Sequence, residues 1–189
     1  MINVPGVARY LIVPEGKKVP DGLDEDVQTV KQPIQNAYIA LPELYEALAE
    51  TEDEKLIRAF ALAGFETDSE ELTFAGKYDE IDFSQIVRSR CNLAVLPAVY
   101  ADSRVTGKDS SDPDAVTAEN LTDEQAQELR RAFDGFKELG LPAFVDRSAD
   151  EESELAALDW FRLYGILLGR EKAIEPVFKA RAAELKEKA

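Results

Sequence analysis

The sequence predicts an α+β fold: a single compact domain with a small, largely antiparallel or mixed sheet and a helical C-terminal third. Three observations carry that expectation. Short runs rich in β-branched and aromatic residues, each stopped by turn residues, are scattered through the first three quarters of the chain. Between them lie stretches whose apolar residues recur at helical spacing behind capping residues. After Ser148 every periodic stretch is helical.

The first strand is expected in VARYLIV, from Val7 to Val13, because PEGKK and PDG then stop it. IQNAYIAL, residues 34–41, is the second, and Pro42 follows where a first helical residue would stand. Leu44, Tyr45 and Leu48 then share one helical face. Thr51 with Glu54 has capping-box spacing for a further helix, with Leu56, Ile57, Phe60 and Ala61 as its buried stripe and Gly64 as its stop. In residues 72–90, LTFAGKY reads as strand and turn, and DFSQIVRSR as a short helix capped by Asp82.

NLAVLPAVY, residues 92–100, is apolar and β-rich, but Pro97 removes a ladder donor and points to an edge strand or a bulge. Thr122 and Gln125 form a capping box before a stripe of Ala126, Leu129, Phe133 and Phe136, and Gly140 ends that helix. LPAFVD is a short strand, and Ser148 with Glu151 opens the final helical region. From Leu155 to Leu168 nearly every residue is apolar, so this helix has little surface left for water. Pro176 breaks the pattern, and VFKARAAELKEKA reads as a separate, mostly exposed helix. The chain therefore divides into an acidic α+β body, residues 1–169, and a C-terminal helical arm, residues 170–189. LPAVYADSR and LPAFVDRSA echo each other, but no period recurs.

Thirty-eight acids against 22 bases give a net charge of -16. Such a surface repels nucleic-acid backbones and anionic membranes, so neither is an expected partner. Residues 170–189 carry six bases and four acids, so the acidic field belongs to the body. A single cysteine, Cys91, allows no internal disulfide. MINVPGVARYLIV lacks the charge and apolar pattern of a secretory signal, and no segment has the length and apolarity of a membrane span. These features predict a cytoplasmic protein, or one within a particle assembled in the cytoplasm.

Histidine is absent, which removes histidine triads, histidine-bearing zinc sites and the commonest neutral-pH base. Cys91 has Arg88 and Arg90 near it in sequence, but the apolar strand that follows favours a structural thiol. The loop DSRVTGKDSSDPDAVTAEN, residues 102–120, holds fragments of two ion-binding signatures. As a phosphate loop it fails, because Asp102 and Asp109 stand where a glycine and a hydroxyl are needed. As a twelve-residue calcium loop from Asp112 it puts Val116 and Thr117 where a ligand and a glycine belong, and Asp123 in place of the last glutamate. Asp109, Asp112 and Asp114 then read as a solvated acidic loop leading into the capped helix, with irregular cation binding as the alternative. Asp102 and Asp146 each follow a predicted strand, so they are the metal candidates, to be joined by Asp79 or Asp82; the ordinary alternative is turn and cap chemistry. No cofactor is expected.

What remains is surface. Trp160, Phe161, Tyr164, Leu167 and Leu168 form one broad aromatic and aliphatic face, which core packing explains and an interface also fits. Val177, Phe178, Arg181 and Leu185 could dock the mildly basic terminal helix onto an acidic neighbour. The leading expectation is a non-catalytic structural or assembly protein that binds copies of itself or another protein, as in a viral (phage-like) or other large particle. The alternatives are an acidic nucleic-acid mimic that inhibits a DNA-binding protein and a magnesium-dependent hydrolase built on carboxylates.

Overall fold

A computed structural model describes residues 1–34, 36–41, 65–66, 73–74, 81, 83–88 and 90–188. Its strands are β1 (Ile2–Val4), β2 (Ala8–Val13), β3 (Val27–Lys31), β4 (Ala37–Ile39), β5 (Phe65–Glu66), β6 (Thr73–Phe74), β7 (Leu93–Leu96) and β8 (Ala143–Val145). Its helices are α1 (Phe83–Arg88), α2 (Ser103–Thr106), α3 (Asp123–Glu138), α4 (Glu154–Leu168) and α5 (Glu171–Lys188). The fold is compact α+β, with mixed strand directions and a helical C-terminal part. The helices expected on Leu44, Tyr45 and Leu48 and on Thr51 to Gly64 lie outside the described residues, as do Pro42, Asp79 and Asp82.

The first sheet has the order β1-β2-β3, with β1 antiparallel and β3 parallel to β2. The second has the order β4-β7-β8 and is parallel throughout. A two-stranded antiparallel pair joins β5 to β6. Purely apolar β7, buried at every position, is what a central parallel strand needs, since both its faces are covered. The edge position expected from Pro97 is therefore corrected. Pro97 falls one residue beyond the strand and starts the 3-10 turn Ala98–Ala101, so its missing N–H costs the ladder nothing.

The two three-stranded sheets meet at the outer edge of β8. Ala94 N–H donates to the Pro142 carbonyl and Asp146 N–H to the Leu96 carbonyl, so Ala143 and Val145 turn their backbone groups away from β7. Tyr10 in β2 fills that edge. Its hydroxyl donates to the Ala143 carbonyl at 2.7 Å and accepts from the Val145 N–H, while Gln28 Oε1 in β3 accepts from the Ala143 N–H at 2.8 Å. Phe144 packs against Tyr10 with ring centroids 4.9 Å apart and the planes tilted by 57°, which joins this junction to the apolar core.

Helix α3 carries the predicted capping box, with Thr122 accepting from Gln125 N–H and Gln125 reaching back to Thr122 N–H. The opening of α4 differs from expectation. Ser148–Asp150 is a 3-10 turn, and Ser153 rather than Ser148 caps the helix through Ala156 N–H. The terminal helix also differs, since it runs unbroken from Glu171 through Pro176. Pro176 is exposed one turn and a half from the start, so the carbonyl it leaves unpaired can be solvated. That helix packs back on α4, with Ile174 1% exposed in the common core. The LPA echo is not a structural repeat: Ala98 begins a 3-10 turn, whereas Ala143 begins a strand.

Candidate interaction groove

The carboxylates singled out in sequence are held by the protein's own donors. Asp102, fully buried, caps α2. One of its oxygens accepts from Arg104 N–H at 2.8 Å and Nε at 2.9 Å; the other accepts from an Arg104 terminal nitrogen and from Ala118 N–H, both at 2.8 Å. Burial pushes its pKa up, but the Arg104 and backbone hydrogen bonds outweigh that and hold it below the ordinary aspartate value. Arg104 extends to Asp123 at 2.8 Å, which ties the 102–120 loop to the start of α3. Asp146 accepts from Ser148 N–H at 2.7 Å and from the buried Tyr164 hydroxyl. Burial, then the Asp146 charge, raises the Tyr164 phenol well above its ordinary value.

The acidic loop is organised in the same local way. Asp109 accepts from Ser111 N–H and hydroxyl, which lowers its pKa, and Asp112 accepts from Asp114 N–H. Asp102 and Asp146 are thus engaged in cap and turn bonds, and no group of three metal-ligating side chains forms among the described residues. Cys91 is half-buried, and burial raises its thiol to about 11, away from the range of a reactive thiolate.

The aromatic and aliphatic face of α4 is turned inward. Phe161, Tyr164, Leu167 and Leu168 are buried, and Trp160 is half-buried with its Nε1 donating to Glu151 at 2.7 Å. These side chains are occupied by the fold; the outward apolar residues of α4 are Leu155 and Ile166. On α5, Val177 and Phe178 pack against the core from half-buried positions, and Arg162 of α4 covers the Phe178 ring at 4.9 Å. Arg181 lies 6.0 Å from the Phe161 ring, and Leu185 is half-buried further along. The expected docking face of the terminal helix is therefore applied, for the most part, to its own chain.

A different surface emerges from the assembled fold. An open groove of about 1160 Å³ runs between β3, the α1–β7 connection, the end of α2 and the α3–β8 turn. Lys31, Arg90, Lys108 and Lys137 line it, against the acids Glu25 and Asp26. Asp26 is already engaged, because Arg9 binds it at 2.7 Å and 2.9 Å and lowers its pKa. Lys108 lies near enough to contribute a weak electrostatic attraction to the same carboxylate. Lys31, Arg90 and Lys137 form no ion pair among the described residues, whereas Arg9, Arg104, Arg130, Arg147, Arg162 and Lys179 all do.

Arg90 also carries backbone strain. Helix α1 ends with Cys91 N–H on the Ile86 carbonyl and Arg90 N–H on the Val87 carbonyl, a Schellman motif that places Arg90 at φ 53°. The same motif ends α3 at Gly140 and α4 at Gly169, where glycine takes the left-handed conformation freely. An arginine in that place costs about 1 kcal/mol, and it sets a cation on the groove wall.

The four bases are separated by up to 106 positions, and no motif links them in the sequence; only the assembled sheet and helix ends do. The chain matches no protein-family model, no curated protein and no solved structure. Among the described residues, no helix is long and apolar enough to cross a membrane.

Proposed function

We propose that this chain is a non-catalytic assembly protein that joins copies of itself, the basic groove of one copy receiving acidic surface of the next. A subunit of a viral (phage-like) or other large particle is the setting such a contact suits. The observation that supports the reading is a groove in which Lys31, Arg90 and Lys137 form no ion pair among the described residues, in a chain with 38 acids and 22 bases. A cationic cleft on an anionic body is complementary to a second copy of that body, and the contact so formed is head-to-tail, able to close a ring or extend. The strained Arg90 adds support, since a costly backbone position is occupied by a cation on the groove wall.

Light scattering over a concentration series tests the proposal. The mass should rise with concentration at about 20 mM salt and fall back toward the monomer at about 300 mM, where charges are screened over a shorter distance. Lys31→Glu with Lys137→Glu should remove the association without lowering the melting temperature. Arg90→Gly should weaken association while stabilising the fold by about 1 kcal/mol, a combination that a purely structural arginine does not give. A wild-type chain that stays monomeric at every concentration and salt refutes the reading.

A further inference from the structure

Resting on the assembly reading above, we infer that the outer edge of β3 is a docking strand, along which an extended acidic stretch of a second copy adds as a further strand. The register of the first sheet fixes which backbone groups are available. Arg9 N–H donates to the Asp26 carbonyl and Gln32 N–H to the Val13 carbonyl, so Gln28 and Val30 serve the ladder with β2. Val27, Thr29 and Lys31 therefore turn their N–H and C=O groups outward. Val27 N–H is closed off by the Asp24 carbonyl, and the Lys31 carbonyl meets Asn92 Nδ2 only at 3.5 Å. The backbone groups of Thr29 have no hydrogen-bond partner among the described residues.

The contrast with β8 is informative. There the outward groups of Ala143 and Val145 are covered by Tyr10 and Gln28, the protection that edge strands normally receive. At β3 the edge instead lines an open groove, with Lys31 on the strand and Lys108 and Lys137 also in its lining. Strand addition draws affinity from main-chain hydrogen bonds and selectivity from side-chain surroundings, and these surroundings select for acids. A second copy can supply them: Asp109–Asp114 holds three acids and Asp150–Glu154 four, neither with a base, and most of both segments is exposed; each is held by local turn or cap bonds in the single chain and exchanges them for the extended form on docking.

The test separates backbone pairing from charge. Thr29→Pro removes an outward N–H that the ladder with β2 does not use, and proline is tolerated on such an edge. This variant should keep the circular dichroism spectrum of the wild type yet remain monomeric where the wild type associates. A labelled peptide, acetyl-(Glu-Val)4-amide, should bind the wild type by fluorescence anisotropy, and about tenfold more weakly after either Thr29→Pro or Lys31→Glu with Lys137→Glu. The (Lys-Val)4 counterpart should not bind. Should Thr29→Pro fail to fold, the acidic peptide N-methylated at alternate amides, in each of the two frames, replaces it: one frame should lose binding to the wild type.

Equal peptide affinity for wild type and Thr29→Pro, or for all N-methylated forms, overturns strand addition, as does no binding at all. If the wild type assembles but those results are negative, the assembly reading stands and this inference falls. If the peptide binds as expected and the wild type remains monomeric, assembly and the second copy as occupant are both overturned, and the strand belongs to a different acidic protein.

Discussion

At the scale of single residues, the buried polar groups show how the chain spends its carboxylates. Asp102 meets four donors without solvent, so Asp102→Ala leaves Arg104 and Ala118 N–H unsatisfied and should cost about 2–4 kcal/mol in urea unfolding. Its folded pKa lies below the ordinary 3.8. The stabilisation is therefore complete above that value and is lost as pH falls through the lower, folded one. The melting-temperature gap between wild type and Asp102→Asn should stay constant at neutral pH and narrow below about pH 4. Tyr10→Phe should cost about 1–3 kcal/mol, because the hydroxyl serves both a carbonyl and an N–H on β8. Hydrogen exchange should then speed up at Val145. That Asp146 sits just after a strand was legible in the sequence, whereas Asp102, expected after one, follows the 3-10 turn Ala98–Ala101. The partners of the two carboxylates were not legible, since Ala118 and Tyr164 stand 16 and 18 residues away with no pattern linking them.

At the scale of elements, local signals performed well where the cause is local. The Thr122 and Gln125 box and the stop at Gly140 lie within one turn of the groups they satisfy, so a short window contains the whole argument. Pro97 and Pro176 mark where such windows fail. Each proline was read as disrupting its element, yet one lies just outside a strand and the other on the exposed side of a helix anchored by Ile174. The packing of α4 on α5 sets a further limit. A Cβ on Gly165 would meet the Glu171 Cα at 3.2 Å and the Ile174 Cβ at 3.6 Å. Gly165→Val should therefore destabilise by about 2 kcal/mol despite removing a flexible glycine, as calorimetry would show. The strands β1 and β3 carry little apolar alternation, and neither was expected from the sequence; pairing with β2 on both sides stabilises them.

At the scale of the whole molecule, charge and helix packing determine what the surface can do. Residues 170–189 are an arm by composition, but their helix buries Ile174 and Ala182 and covers part of α4. A chain ending at Gly169 should lose about 5 kcal/mol from the exposed apolar side chains and melt at markedly lower temperature, rather than merely losing association. Thermal denaturation of the two lengths checks this. Trp160, Phe161, Tyr164, Leu167 and Leu168 had an apolarity consistent with either core or interface, and periodicity does not separate the two. Here the neighbouring helix and Phe144 cover them, leaving only Trp160 partly open.

By itself the sequence determined the α+β class, the capped helix α3, the apolar run of α4, the apolar strands and the acidity of the body, because each depends on local composition, spacing or a sum over residues. Only the tertiary structure decided that β7 is central, that the α4 face is interior, and that Lys31, Arg90, Lys108 and Lys137 share one groove beside an open strand edge. Those outcomes depend on which distant segments meet, and strand order and helix docking are set by the burial of the whole core rather than by any one stretch of it.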